Sequence, residues 1–453
     1  MLVSVRARGA SLALLASSQF LVVLNTSIVN VALPAIGDDL RLSAAGLSWV
    51  VNAYLIAFGA LLPAGGRIAD LYGGRRALAA GLALFTAGSA GAALSPGAGA
   101  LIAARAVQGV GAAVLSPAAL AVLLALYPAG AARGRALGVW GSVSAAGGAA
   151  GVLLGGLLTD ALGWWSVFAV GVPVAAFVLA AVPRLVPGDD RPPRGGGLDL
   201  PGTLSVTLGL LGVAYGLGGG GWPTIAAGVA LLGVFALWER RVEQGAEQGI
   251  KQGIKQGAAV PLIPPSLLRT ADVGIGNVLM LLLGMVWVGT FFFLPLYQQR
   301  VLGYSPLEAG LTQLPLALAL VLAPLAAGRL RRTLVPGLLT LAAGLAWLAR
   351  APEHGTFLVD LLGPTVLVGA GLGLAFVPLT ALGVTGVPGE RAGVASGLIT
   401  TTRQVGGALG LAVLTSVAGL APAGVTGYRY AFLAAAAISL VAATAAFLKG
   451  RIR

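Results

Sequence analysis

The side chains of this sequence that could do chemistry are few and oddly matched. Arg105 stands inside the apolar run 98–124, and Gln108 follows one helical turn later on the same face. A guanidinium at the centre of a bilayer costs about 2.5–3.5 kcal/mol on insertion scales, so it must turn towards other protein groups and find acceptors there. Asn25 lies about 21 Å into the apolar run 11–34, and Arg105 about 20 Å from the same side of a core of about 30 Å, so the two reach one depth. Asparagine accepts a hydrogen bond from a guanidinium but cannot titrate. All 15 Asp and Glu fall between apolar runs or near their ends, with Asp160, Asp272 and Asp360 the nearest substitutes for a mid-membrane carboxylate. The other polar and aromatic side chains within the runs, Asn30, Asn52, Trp140, Asn277, Trp287, Gln313 and Gln404, are candidates to line a cavity. Such a lining suits a bulky, mostly apolar organic molecule, neutral or singly charged. Enzymatic chemistry has little to work with. There is no Cys, the one histidine is His354 in a loop, and no G-x-S-x-G, H-E-x-x-H or G-x-x-x-x-G-K-[ST] occurs. No metal site, cofactor or catalytic residue is expected.

The elements that must hold these groups are membrane helices. Of 453 residues 57% are apolar and 9% charged, against about a quarter charged in a soluble domain, which excludes both a soluble and a disordered chain. Fourteen runs can cross a bilayer: 11–34, 45–65, 77–95, 98–124, 136–159, 164–182, 200–218, 222–238, 272–296, 307–328, 335–349, 358–383, 395–418 and 428–448. The first is too long for a signal-peptide core and reads as a retained helix. The net charge of +13 forms no basic face for nucleic acid. With both termini cytoplasmic, 22 Lys and Arg fall inside and 4 outside, Arg105 and Arg403 lying within or at the end of runs. That asymmetry is the positive-inside pattern, and six of the eight Trp stand at run ends as an interfacial belt. The 70 Gly point to helices that approach closely and slide. The segment 243–257 repeats glycine every fourth residue, which opposes a helix and predicts a flexible linker.

Six motifs in order then carry a family likeness. GRIADLYGGRR (66–76) resembles the loop signature of the major facilitator superfamily, RAVQGVGAA (105–113) its second motif, and GVLLGGLL (151–158) the glycine-rich motif of its antiporters. LNTSIVNVALPAI (24–36), LGYSPLEAGL (302–311) and ASGLITTTRQVGGALG (395–410) are similar to its fourteen-helix drug:proton antiporter family. The resemblance implies an all-α integral membrane protein of 14 transmembrane helices, as two pseudo-symmetric six-helix bundles plus two inserted central helices. The segments PAGGRIADLYGGRRALAAGLAL (63–84) and APLAAGRLRRTLVPGLLTLAAGLA (323–346) show the matching weak repeat. Residues 1–183 and 272–453 would be the bundles, and 184–271 the linker helices. It implies a monomeric exporter of hydrophobic drugs or secondary metabolites in the cytoplasmic membrane, driven by a proton gradient. An uncoupled facilitator or uptake carrier is the alternative, because Asn25 stands where the family has an aspartate able to titrate against Arg105. Gly66 and Gly73 are expected to permit a tight cytoplasmic turn. Asp70, among Arg67, Arg75 and Arg76, would latch onto the positive N-terminus of the helix entering near Arg391. Gly151, Gly155 and Gly156 keep the close-packing spacing of the antiporter motif. Val152 replaces its usual Pro, which predicts a straighter helix.

Overall fold

The computed structural model describes residues 5–127, 130–188, 197–251, 261–327, 333–387, 391–422 and 424–451. Among them every regular element is helical. In order they are α1 (Val5–Asp39), α2 (Ala44–Tyr72), α3 (Gly74–Ala93), α4 (Ala98–Leu126), α5 (Ala131–Leu162), α6 (Ser166–Ala169), α7 (Gly171–Leu185), α8 (Leu200–Tyr215) and α9 (Trp222–Lys251). There follow α10 (Pro265–Arg269), α11 (Ala271–Arg300), α12 (Pro306–Thr312), α13 (Leu314–Ala326), α14 (Leu334–Leu348), α15 (Leu362–Leu382), α16 (Ala392–Gly419) and α17 (Val425–Arg451). Single π-helical turns, Gly216–Gly220 and Phe357–Leu361, end α8 and precede α15.

Among the described residues helix occupies each of the fourteen apolar runs; eleven helical stretches there are long and apolar enough to cross a membrane, and Leu334–Leu348 is apolar but shorter. Two runs are broken by local chemistry. Pro315 at the start of α13 has no N–H to continue the ladder from α12, so the run 307–328 bends at Gln313. The run 164–182 divides at Val170 into α6 and α7.

Two expectations need correction. Gly66 makes no turn, because α2 continues through it to Tyr72; the chain turns only at Gly73, whose φ of 94° suits glycine. The glycine repeat is not all linker either, since α9 runs on to Lys251. An established helix propagates at small cost per residue, and the Glu243 carboxylate fastens this one by accepting from the Ser266 N–H at 3.2 Å. Residues 252–257 of the repeat lie outside the described residues.

Packing follows small residues. A Cβ on Gly81 of α3 would stand 2.6 Å from the Leu115 N of α4, so these helices meet backbone to backbone. α1, α2, α3, α4, α5 and α7 pack among themselves, as do α11, α13, α14, α15, α16 and α17, while α8 and α9 form a hairpin against α2 and α16. The two groups meet through α2 with α16, α5 with α12, and α1 with α11. At the face where α1 ends, called here the far face, Arg300 pairs with Asp38 at 2.5 Å and Gln299 donates to the Val31 carbonyl at 2.9 Å. The opposite face, where α1 begins, is the near face.

Candidate functional site

Arg105 is 1% exposed, seven residues past the start of α4 at Ala98. Two glycines make its surroundings possible. A Cβ on Gly88 would fall 2.6 Å from the Gln108 N, and one on Gly109 2.9 Å from the Ala57 Cβ, so α3 and α2 both close onto α4 at this level. The approach supplies acceptors. Arg105 Nη1 donates to Asn25 Oδ1 at 2.6 Å and to Gln108 Oε1 at 2.5 Å, and its Nε donates to the Val50 carbonyl at 3.0 Å. Gln108 Nε2 donates onward to Ser89 Oγ at 2.7 Å, and that hydroxyl donates to the Phe85 carbonyl at 2.8 Å. The chain of bonds fixes the Gln108 amide with its oxygen towards the guanidinium. Tyr54 closes one side, its ring centroid 4.4 Å from Arg105 Cζ, and Phe168 another at 5.8 Å. Charge-assisted bonds are the strong kind, so this is a rigid centre. Every acceptor in it is neutral, and the positive charge stays uncompensated.

A second arginine occupies the other half. Arg403 lies in α16 with its Cζ 5.9 Å from the Trp287 ring and 5.9 Å from the Phe376 ring. Trp287 stacks on Phe291 at 6.2 Å and meets Phe376 edge-on at 5.5 Å. Gly284 brings α11 close here, since its Cβ would stand 3.2 Å from the Arg403 Cα. Arg403 is partly exposed and its side chain donates no hydrogen bond among the described residues. The two centres lie on neighbouring helices: α2, which carries Tyr54, packs on α16 where a Cβ on Gly59 would fall 2.9 Å from the Gln404 Cβ.

The other candidate residues disperse rather than share one cavity. Asn30 is buried and donates to the Thr26 carbonyl of its own helix at 3.2 Å. Asn52 is buried with its Oδ1 unpartnered. Asn277 accepts from Thr402 at 2.8 Å and so joins α11 to α16. Gln313 turns to Gln298 at 3.4 Å, near the far face. Gln404 is buried against α2, and Trp140 is half-buried in the outer layer of the core. Of the carboxylates, Asp160 is exposed, Asp272 pairs with Lys449 at 2.6 Å, and Asp360 accepts from the Thr356 N–H at 2.8 Å.

Gly151 and Gly155 pack the unbroken α5 onto α1, with Cβ positions 2.9 Å from the Leu24 carbonyl and 2.6 Å from the Ile28 carbonyl. Gly156 faces the other half, where a Cβ would fall 2.5 Å from the Pro306 carbonyl. At the near face Asp70 and Arg76 are exposed, and Arg75 Nη2 donates to the Pro183 carbonyl at 2.9 Å, tying α3 to α7. Sequence reasoning did not single out Tyr54, Ser89, Phe376 or the setting of Arg403. The one available signal was Arg403 itself, a second cation inside an apolar run.

Comparison with known proteins gives a consistent result. A family model described as Major Facilitator Superfamily matches residues 15–411. A cephamycin export protein of Amycolatopsis lactamdurans is 41% identical over 425 residues, covering 91% of this chain and 86% of its own length. A puromycin resistance protein of Streptomyces alboniger is 39% identical over 442 residues, covering 93% and 83%. The crystal structure of a D-xylose–proton symporter superposes with a TM-score of 0.69 over 96% of this chain and 95% of that one, at 15% identity, a likeness of fold alone.

Proposed function

The chain belongs to the major facilitator superfamily, and from that premise we propose that it is a multi-pass membrane exporter of drug-like or antibiotic-like organic molecules, working by alternating access. The observation that carries this reading is similarity to antibiotic export and resistance proteins along nearly the whole chain. All fourteen helical runs cross the cell membrane, residues 1–183 and 272–453 forming the two bundles and 184–271 the inserted pair. The near face and both termini are cytoplasmic, as the 22-to-4 charge bias requires. The protein acts as a monomer on a small, mostly apolar substrate.

The far-face contacts then define one end state. Asp38–Arg300, Gln299–Val31 and Gly156 against Pro306 hold the outer ends together, so opening outwards must break them. In the outward-open state Asp70, with Gly73, Arg75 and Arg76 behind it, latches the start of α16 at the cytoplasmic end. Interconversion of two packed arrangements about a central site is the general logic of such carriers.

Proton antiport supplies the energy in this reading. A second reading, an uncoupled facilitator, is favoured by one observation: the partner of Arg105 in α1 is Asn25, which holds the guanidinium without titrating. Substrate flux from vesicles with and without a pH gradient separates them, comparing the native chain with Asn25→Asp. Antiport requires concentrative native efflux that collapses with the gradient. A native chain that only equilibrates substrate, and gains coupling with Asn25→Asp, establishes the facilitator.

A further inference from the structure

Arg105 and Arg403 place two positive charges inside the helical core, one in each half. Arg403 is 11 residues past Ala392 in the 28-residue α16, about 17 Å along the helix axis. Among the described residues neither cation is bonded to a carboxylate; Glu239 and Glu243, inside α9, accept instead from the Ile263 and Ser266 N–H groups. Arg105 at least gives its protons to neutral acceptors. Arg403 does not. Its guanidinium lies by two aromatic rings, whose quadrupoles attract a cation but leave the N–H donors unused. A partly exposed polar head with spare donors, flanked by two aromatic rings, is a binding surface with one missing component. That component is an anion.

We propose that Arg403 anchors an organic anion: the exported molecule carries one carboxylate or similar planar oxyanion on a flat apolar body that lies against Trp287 and Phe376. The proposal rests on the export reading and narrows its substrate class. A guanidinium matches an oxyanion bidentately, and such a bond gains strength in a site of low dielectric. Arg105, buried and bonded through Nε and Nη1, adds long-range attraction without touching the ligand. A cationic molecule meets two like charges and is refused. The depth of Arg403 also sets it apart from the headgroup region where anionic lipids present their phosphates.

The test uses the full chain in phosphatidylcholine nanodiscs, which contain no anionic lipid, and three probes with one aromatic body: 2-naphthoate, methyl 2-naphthoate and 2-naphthylmethylammonium. Equilibrium binding is measured for the native protein, Arg403→Gln and Arg403→Lys, with melting temperatures as a control on folding. Naphthoate should bind at least about tenfold tighter than the ester, with the ammonium weakest. Arg403→Gln should reduce naphthoate to the level of the ester without changing the ester, and Arg403→Lys should keep the preference at lower affinity. If Gln does not fold, the Lys variant decides: loss of geometry with retained charge must weaken naphthoate and spare the ester. No naphthoate binding, equal binding of naphthoate and ester, or an undiminished preference in Arg403→Gln overturns the proposal. The same probes in proteoliposomes separate the two levels. Export of the ester and ammonium as fast as naphthoate removes the anion site and leaves the exporter, whereas Arg403-dependent naphthoate binding without transport keeps the site and removes export.

Discussion

The two central arginines present one functional group in opposite states. Arg105, in the N-terminal half, is 1% exposed and donates to Asn25, Gln108 and Val50 from three helices. Arg403, in the C-terminal half, makes no side-chain hydrogen bond among the described residues and lies by the rings of Trp287 and Phe376. A guanidinium hydrogen-bonded to neighbouring helices is an architectural joint; one without a bonded partner is a receptor. The first costs stability when removed, because it leaves acceptors buried and unpaired. The second costs stability by being present, since an uncompensated charge in low dielectric is unfavourable until a ligand arrives.

Substitutions can break or sharpen this contrast. The largest effect on stability should come from Arg105→Ala, which strands the oxygens of Asn25 and Gln108 at about 1–3 kcal/mol each. Melting of the purified protein should fall by many degrees and transport should cease. A native-like melting temperature would show that the joint is not structural. Next is Gly156→Ala, which sets a methyl 2.5 Å from the Pro306 carbonyl and forces the halves apart at the far face. An overpacking cost of about 1–3 kcal/mol shifts the population towards far-face opening. Because the chain has no Cys, introduced cysteine pairs can report the far-face distance by spin labelling on a clean background. An unchanged distance distribution would sink the idea that this contact helps to seal the face. Ser89→Ala should be smaller, about 1 kcal/mol, since it removes one neutral partner of Gln108 and leaves the bonds to Arg105 in place. Read by melting temperature, a loss as large as that of Arg105→Ala would mean the network acts as one unit. The smallest effect belongs to Arg403→Ala, which should leave unliganded melting unchanged or slightly raised. A marked drop would put Arg403 in the same class as Arg105.

Much of the frame was legible in order of residues. Apolar run length placed fourteen helical stretches, and depth arithmetic on Asn25 and Arg105 brought together two side chains that do form a bond. Both inferences depend on distance along single helices, which the rise per residue converts directly into depth. Errors arose where neighbours decide. Gly66 was assigned a turn that helix propagation overrides, and the Gly repeat after 243 was given too little helix because Ser266 supplies a fastening from outside the segment. The partners of the cavity candidates were not legible, because a polar residue in a run announces a need for a partner, not which partner. Asn30 satisfied itself on its own helix, and Asn277 found Thr402.

The sequence by itself determined that this chain is a multi-pass membrane protein, and that Arg105 needed acceptors with no acid in its own run or in that of Asn25 to serve it. Composition and period are enough for that, because the bilayer is a uniform solvent that judges each helix separately. Only the tertiary structure decided that the two arginines differ. Whether a guanidinium is saturated depends on how closely other helices approach, and that was set at Gly88, Gly109 and Gly284 by the absence of a Cβ.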